Sequence, residues 1–225
     1  MPHYLIEFRL HGYAKKYAKR IIFDVARKFR VQGVTHKRPV PHICLFGPCK
    51  TRNQRKLVAS VVEVGKKYDL VPFKIKGCNH FRNDVIFLDI EPSVKLKNLR
   101  RNLAKKLFKI SLGQQFDKNF NFNFHATIAF KDVTRKFSQI WKYIKQKEEP
   151  NIKQHLLRIT ILKNSRILYE YDLMQKRLLN RRQALNRGLW KKSIRLLKQK
   201  TKDFKQDLDE ESVWEKIKKR VGWWV

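Results

Sequence analysis

The sequence predicts an α+β fold, and three observations carry that expectation. Apolar strands and amphipathic helices alternate over the first 174 of the 225 residues. No Gly-x-Gly-x-x-Gly loop or Walker loop is present, so the alternation does not read as a nucleotide-binding parallel sheet. Two strands, one in each half, repeat one pattern: a histidine followed two places later by a small side chain that can hydrogen-bond.

Taken in order, Tyr4–Leu10 alternates as a first strand, with Leu5, Glu7 and Arg9 on one face. Tyr13–Phe29 spaces Ile21, Ile22, Val25 and Phe29 as an amphipathic helix. The basic loop Thr35–Pro39, with Lys37 and Arg38 as candidate substrate contacts, runs into Pro41–Pro48. In that strand His42, Cys44 and Phe46 share a face, and Gly47-Pro48 reads as its stop. Thr51 is placed to cap a helix reaching Gly65, whose Leu57, Val58, Val61, Val62 and Val64 form a buried side.

Val71–Lys76 and Asp84–Ile90 read as strands joined by Gly77–Asn83, a connector with an aromatic, a histidine and an arginine suited to a nucleotide. Ser93 opens a helix to about Lys109, apolar at Leu96, Leu99, Leu103 and Leu107. After an irregular loop, Ser111–Asn119, comes the second pattern strand, Asn121–Phe130. There His125, Thr127 and Ala129 face one way, and the imidazole and hydroxyl stand roughly 6–7 Å apart along the strand. That spacing lets them hold different oxygens of one phosphate. Thr134–Lys147 is a further helix, and Leu156–Leu162 with Ile167–Leu173 close the unit as a hairpin.

The segments His42-Ile43-Cys44-Leu45 and His125-Ala126-Thr127-Ile128 resemble the two His-x-Thr/Ser motifs of the two-histidine phosphoesterases, which include the RNA 2′,3′-cyclic phosphodiesterases, also called 2′-5′ RNA ligases. The resemblance spans roughly residues 1–174, in element order as well as motifs, and Cys44 departs from it where Thr or Ser is usual. It implies two similar lobes, each with an antiparallel sheet, whose histidine strands face each other across a central cleft. It implies His42 and His125 as the catalytic acid and base, in an order the sequence leaves open, and Cys44 and Thr127 as phosphate-binding residues. It implies no metal and no other cofactor. The expected reaction is opening of a terminal cyclic phosphate, with a 2′-phosphomonoester as product and reversible 2′-5′ ligation as a possible companion. Two alternatives stand beside it: an exonuclease-like relative that forms cyclic phosphate ends, and a basic RNA-binding protein with a degenerate site.

Composition points to the partner. A formal net charge of +34, from 53 basic and 19 acidic side chains, favours a polyanion, RNA above all. Three cysteines, an odd number, argue against a disulfide framework and for a reducing, cytoplasmic setting. Cys44, Cys49, Cys78 and His80 lack the close pairs of a zinc site. No apolar run approaches the ~20 residues that span a bilayer, and Met1-Pro2-His3-Tyr4 opens no secretory signal.

The chain divides into 1–174 and a basic helical extension, 175–225, with 16 basic and 6 acidic residues, a net of +10. Met174–Lys200 reads as one long helix with Leu178, Leu185, Leu189 and Leu196 on its apolar stripe, and Asp207–Arg220 as a second, ahead of Trp223-Trp224. The extension is expected to pack on the domain or to grip RNA, with a membrane surface as the lesser option.

Overall fold

The computed structural model describes residues 1–33, 35, 39–118 and 121–202. Two antiparallel sheets organise them. The first has the strand order β2-β1-β7-β8-β9, from β1 (His3–Arg9), β2 (His42–Lys50), β7 (Arg158–Lys163), β8 (Arg166–Asp172) and β9 (Arg177–Asn180). The second has the order β5-β4-β3-β6, from β3 (Pro72–Phe81), β4 (Val85–Pro92), β5 (His125–Phe130) and β6 (Asn151–His155). Each histidine strand is therefore the edge of its sheet, and the two edges pack against each other, β2 on β5. The fold is the α+β arrangement of two antiparallel sheets that the sequence predicts.

Helices cover the sheets. α1 (Gly12–Phe29) packs on β5, and α2 (Gln54–Lys66) and α3 (Val94–Leu107) pack on each other. α4 spans Phe137–Lys145, behind a short 3₁₀ turn at Thr134–Lys136. Ile21, Ile22 and Val25 of α1, Leu57, Val61 and Val64 of α2 and Leu96, Leu99, Leu103 and Leu107 of α3 are all buried, as their spacing requires. Each such side chain contributes about 1.5–3 kcal/mol relative to exposure. The α2–β8 contact is so close that a Cβ on Gly65 would lie 2.4 Å from Tyr171 Cδ1, so a glycine is needed there. Among the described residues no helix is long and apolar enough to cross a membrane.

Several boundaries differ from the sequence reading. β2 does not stop at Gly47-Pro48: it continues to Lys50, with Tyr4 opposite Cys49, because Gly47 takes a φ of 98° that lets the strand bulge and resume pairing. Gly77 does the same in β3 at φ 75°, so the connector Gly77–Asn83 is mostly strand; His80 pairs with Ile86 and Phe81 with Val85. Asn53, not Thr51, caps α2 by accepting from Lys56 N; the Thr51 hydroxyl instead donates to Ile110 O at 2.6 Å. β5 begins only at His125. β6 was not legible because Asn151-Ile152-Lys153-Gln154-His155 is too polar to read as a strand, yet it pairs with β3 along its length.

The largest correction concerns the extension. Met174–Lys200 is not one helix. Asp172 Oδ1 accepts from Met174 N at 3.0 Å and Gln175 N at 2.9 Å, Lys176 takes a left-handed φ of 52°, and β9 then pairs with β8. Leu178, expected on the helical stripe, instead stands opposite Tyr171 in the sheet, and its neighbour Leu179 is buried. Asn180 closes a capping box with Gln183 to start α5 (Arg181–Ala184), and the chain is helical again over 187–202, here α6. The expected second helix and Trp223-Trp224 lie outside the described residues.

A buried polar cluster docks α6. Arg158 is 2% exposed; its guanidinium donates to Asp172 Oδ2 at 2.8 Å, Glu170 Oε2 at 3.2 Å, Ala184 O at 3.1 Å and Ser193 Oγ at 2.9 Å. Thr160 Oγ1 donates to the second oxygen of Glu170, Ser193 also bonds Asp172, and Trp190 lies 4.8 Å from the Arg158 charge. Two carboxylates, one arginine and one serine thus tie α6 to β7 and β8.

Candidate active site

The site is built from the facing edges β2 and β5. His42 begins β2 directly after Val40-Pro41, and Leu10 N anchors that entry by donating to Pro41 O at 2.9 Å. His42 Nδ1 lies 2.9 Å from Val40 O, and His125 Nδ1 lies 2.9 Å from Asn123 O. A carbonyl can only accept, so each Nδ1 carries the proton it donates. Both rings are therefore held in the same tautomer by the carbonyl two residues upstream. In each, Nε2 is left as the nitrogen that can take up or release a proton.

His42, His125 and Thr127 line one open pocket of about 340 Å³, with Phe81, Val85 and Phe130 as its apolar wall. The alternation expected of β5 places His125 and Thr127 on this side and buries Ala126 and Ile128 on the other, but a register shift after Thr127 then breaks it, so that Ala129 is buried and Phe130 lines the pocket. A larger hollow of about 800 Å³, lined by Lys97, Lys105, Lys118 and Phe108 among others, lies against α3 and contains neither histidine. Among the described residues no three His, Cys, Asp or Glu side chains cluster as metal ligands.

The two histidines sit in unlike surroundings. The His125 ring packs edge-on to Phe81, with centroids 4.9 Å apart, and lies 5.1 Å from Phe87. Burial lowers its pKa below the ordinary histidine value, its bond to Asn123 O opposes this, and the neighbouring His42 lowers it further. His42 Nε2, by contrast, lies 3.7 Å from Glu7 Oε2.

Cys44 is not brought together with the other three. Its Sγ donates to Gly47 O at 3.4 Å, within the bulge that lets β2 continue, and Asp117 fixes that bulge by accepting from Gly47 N at 3.0 Å. Burial pushes the Cys44 thiol up to about 12, and Asp117 and Glu7 act in the same direction. The thiol hydrogen is thus retained and spent on the turn, because the bend at Gly47 returns a carbonyl to Sγ. Lys37 and Arg38 lie outside the described residues.

At pH 8 a thiol of that kind is ionised in only about one molecule in ten thousand. Native protein treated with iodoacetamide should therefore show no Cys44 adduct by mass spectrometry over a time that fully modifies it in urea. Equal rates in the two conditions would mean that Sγ is open and ionisable.

Glu7 and Arg9, which stand beside His42, did not stand out in the sequence as site residues, and Phe81 read as part of a loop. The available signal was the acidic and basic pair on the Leu5-Glu7-Arg9 face of β1, which the neighbouring motif strand covers.

The profile of the 2′-5′ RNA ligase superfamily matches residues 18–167. No significant match was found among curated proteins. Among solved structures, TT0787 of Thermus thermophilus superposes with a TM-score of 0.54 at 12% identity, covering 76% of this chain and 97% of that one. E. coli LigT complexed with 3′-AMP gives 0.48 at 16% identity, covering 78% and 100%, and Kluyveromyces marxianus Usb1 gives 0.46 at 11% identity, covering 80% and 97%. The Thermus likeness is one of fold, and the profile spans two thirds of the sequence, from within α1 through β2 and β5 to β8: the chain belongs to the 2′-5′ RNA ligase superfamily.

Proposed function

We propose that this protein is an RNA 2′,3′-cyclic phosphodiesterase that opens terminal cyclic phosphates, to 2′-phosphomonoesters, by acid–base catalysis on His42 and His125. The observation that carries this reading is the matched pair of imidazoles, each with Nδ1 bound to the carbonyl two residues upstream, on two edge strands that line one pocket with Thr127.

The chemistry needs two proton carriers. One neutral Nε2 takes a proton from water as the water oxygen bonds to phosphorus. The bond from phosphorus to one ribose oxygen breaks, and the other ring, charged at Nε2, protonates that oxygen. One water is added in total, and the two rings end with their protonation states exchanged. Histidine serves in either role near neutral pH. Thr127 Oγ1 donates to a nonbridging oxygen where charge accumulates. The Cys44 thiol, engaged with Gly47 O, leaves that second position to other donors, and Lys37 and Arg38 precede the site in sequence. The phenyl ring of Phe81 offers a nucleobase an apolar face beside His125.

The net charge of +34 supports an RNA partner, since each phosphate neutralised releases counterions. Three free cysteines support a cytoplasmic setting. The test is incubation with an RNA oligonucleotide ending in a 2′,3′-cyclic phosphate, in EDTA, followed by mass spectrometry. The expected product carries one added water and resists a 3′-specific phosphatase. An unchanged oligonucleotide, with tight and salt-sensitive binding, would instead indicate an RNA-binding protein on this fold.

A further inference from the structure

Helix α3, with Phe108 at its end, carries two stripes of residues spaced by four. Arg100, Ala104 and Phe108 form the inner stripe, and Lys97, Arg101 and Lys105 the outer one. Residues four apart share a helix face, and both stripes line the hollow of about 800 Å³ that faces the chain entering β5. Like charges at this spacing repel and weaken a helix, and α3 itself contains no acidic residue to offset them. The outer stripe is exposed, and among the described residues Lys97, Lys105 and Lys118 make no ion pair.

The one carboxylate in the lining, Asp117, is 1% exposed and already compensated. Arg100 Nη2 donates to its Oδ1 at 3.4 Å, and Gly47 N to its Oδ2 at 3.0 Å. The mouth of the hollow is therefore cationic. Its wall is aromatic, with the half-buried rings of Phe108 and Phe122 set beside charged groups. Lys118 Nζ lies 5.8 Å from the first ring and the Arg100 guanidinium carbon 3.8 Å from the second.

We propose that this hollow is a groove for single-stranded RNA, holding the nucleotides on the 5′ side of the terminal phosphate by backbone charge and base stacking. It rests on the phosphodiesterase reading for the end that enters the catalytic pocket, and it adds where the rest of the strand lies. Lys97, Arg101 and Lys105 repeat about every 6 Å along the helix axis, a step that an extended sugar–phosphate chain can follow. Aromatic faces in a basic groove bind unpaired bases whatever their sequence. Asn123 makes the groove continuous with the catalytic pocket: exposed and lining the hollow, it also supplies the carbonyl oxygen 2.9 Å from His125 Nδ1. A duplex, whose bases are stacked inside, would use the lysines and leave the rings idle.

Fluorescence anisotropy of a short single-stranded RNA with a plain 3′-hydroxyl tests the groove without calling on the chemistry. Lys97→Gln with Lys105→Gln removes two phosphate contacts, each contributing about 0.7 to the slope of log affinity against log salt for a single strand. The slope should fall by about 1.4, and the affinity near physiological salt by about tenfold. Lys15→Gln with Lys16→Gln, exposed on α1 and outside the hollow, removes the same charge and should change the slope far less. Phe122→Leu should weaken binding of the single strand about tenfold and that of a duplex of the same sequence by no more than about twofold. Equal falls for the two lysine pairs would mean diffuse attraction by net charge and overturn the proposal. So would a Phe122→Leu deficit as large for the duplex as for the single strand.

Turnover separates the groove from the reading beneath it. The kcat/KM on a cyclic-phosphate oligonucleotide, divided by that on a 2′,3′-cyclic mononucleotide, should fall about tenfold in Lys97→Gln/Lys105→Gln. An unchanged ratio would put the strand elsewhere during catalysis and overturn the proposal. A wild type that opens neither substrate, with variants that lose RNA as expected, refutes the phosphodiesterase and keeps the groove. A wild type that opens both, with variants that bind RNA as tightly, keeps the phosphodiesterase and refutes the groove.

Discussion

His42→Ala and His125→Ala are each expected to lower turnover of an RNA cyclic phosphate end by about 10²–10⁴-fold, the usual contribution of a positioned proton carrier. Neither ring is an anchor of the core, since both begin their strands and face the open pocket. The variants should therefore keep their fold by circular dichroism and their affinity for RNA to within a few-fold. The double variant is expected to be little worse than either single one, because the two rings serve one proton-transfer cycle. Thr127→Val should cost less, about 10–10³-fold, as the loss of one donor to a phosphate oxygen. Initial rates on a cyclic-phosphate oligonucleotide measure all four. A single-histidine variant with near wild-type rates would remove that residue from the chemistry.

Arg158→Ala carries the largest expected stability cost. Its guanidinium compensates both Asp172 and Glu170, which are 0% and 4% exposed, and removing it leaves two carboxylates facing each other in the interior. Breaking a buried pair from one side costs about 3–5 kcal/mol. For a domain of this size that is a fall in Tm of about 6–20 °C. The same change removes the donors to Ala184 O and Ser193 Oγ, so α6 should detach first, seen as faster amide exchange over 187–202. Lys145→Ala is the contrast: its bond to Glu149 is exposed, and such pairs contribute at most about 1 kcal/mol. Thermal unfolding of the two variants decides it. An Arg158→Ala Tm as little changed as that of Lys145→Ala would mean the cluster contributes no net stability.

What could be read from the sequence followed from periodicity. Helices α1, α2 and α3 were legible because apolar spacing decides which face is buried, and Ser93 caps α3 as its position suggests, accepting from Leu96 N. The strands carrying His42 and His125 were legible because their first residues alternate and their histidines repeat. What was not legible depends on pairing between distant residues. β6 and β9 hold together only because β3 and β8 offer them hydrogen-bonding edges, and their own residues, Asn151–His155 and Arg177–Asn180, carry weak strand signals. The commitment of Cys44 to Gly47 O follows from a bulge that local propensity does not announce. Glu7 was visible as an acidic residue in an apolar strand, but its closeness to His42 Nε2 is a product of sheet register alone.

The most direct measurement is the pH dependence of kcat/KM for a cyclic-phosphate RNA in EDTA, for wild type and both histidine variants. Two imidazoles with divided roles predict a bell-shaped profile. Because burial lowers the His125 pKa, the limb that His125 sets should lie below the ordinary histidine value near ~6.5. The residual activity of each histidine variant should lack one of the two limbs. A wild-type profile without two limbs, or limbs that survive in both variants, would contradict catalysis by this pair.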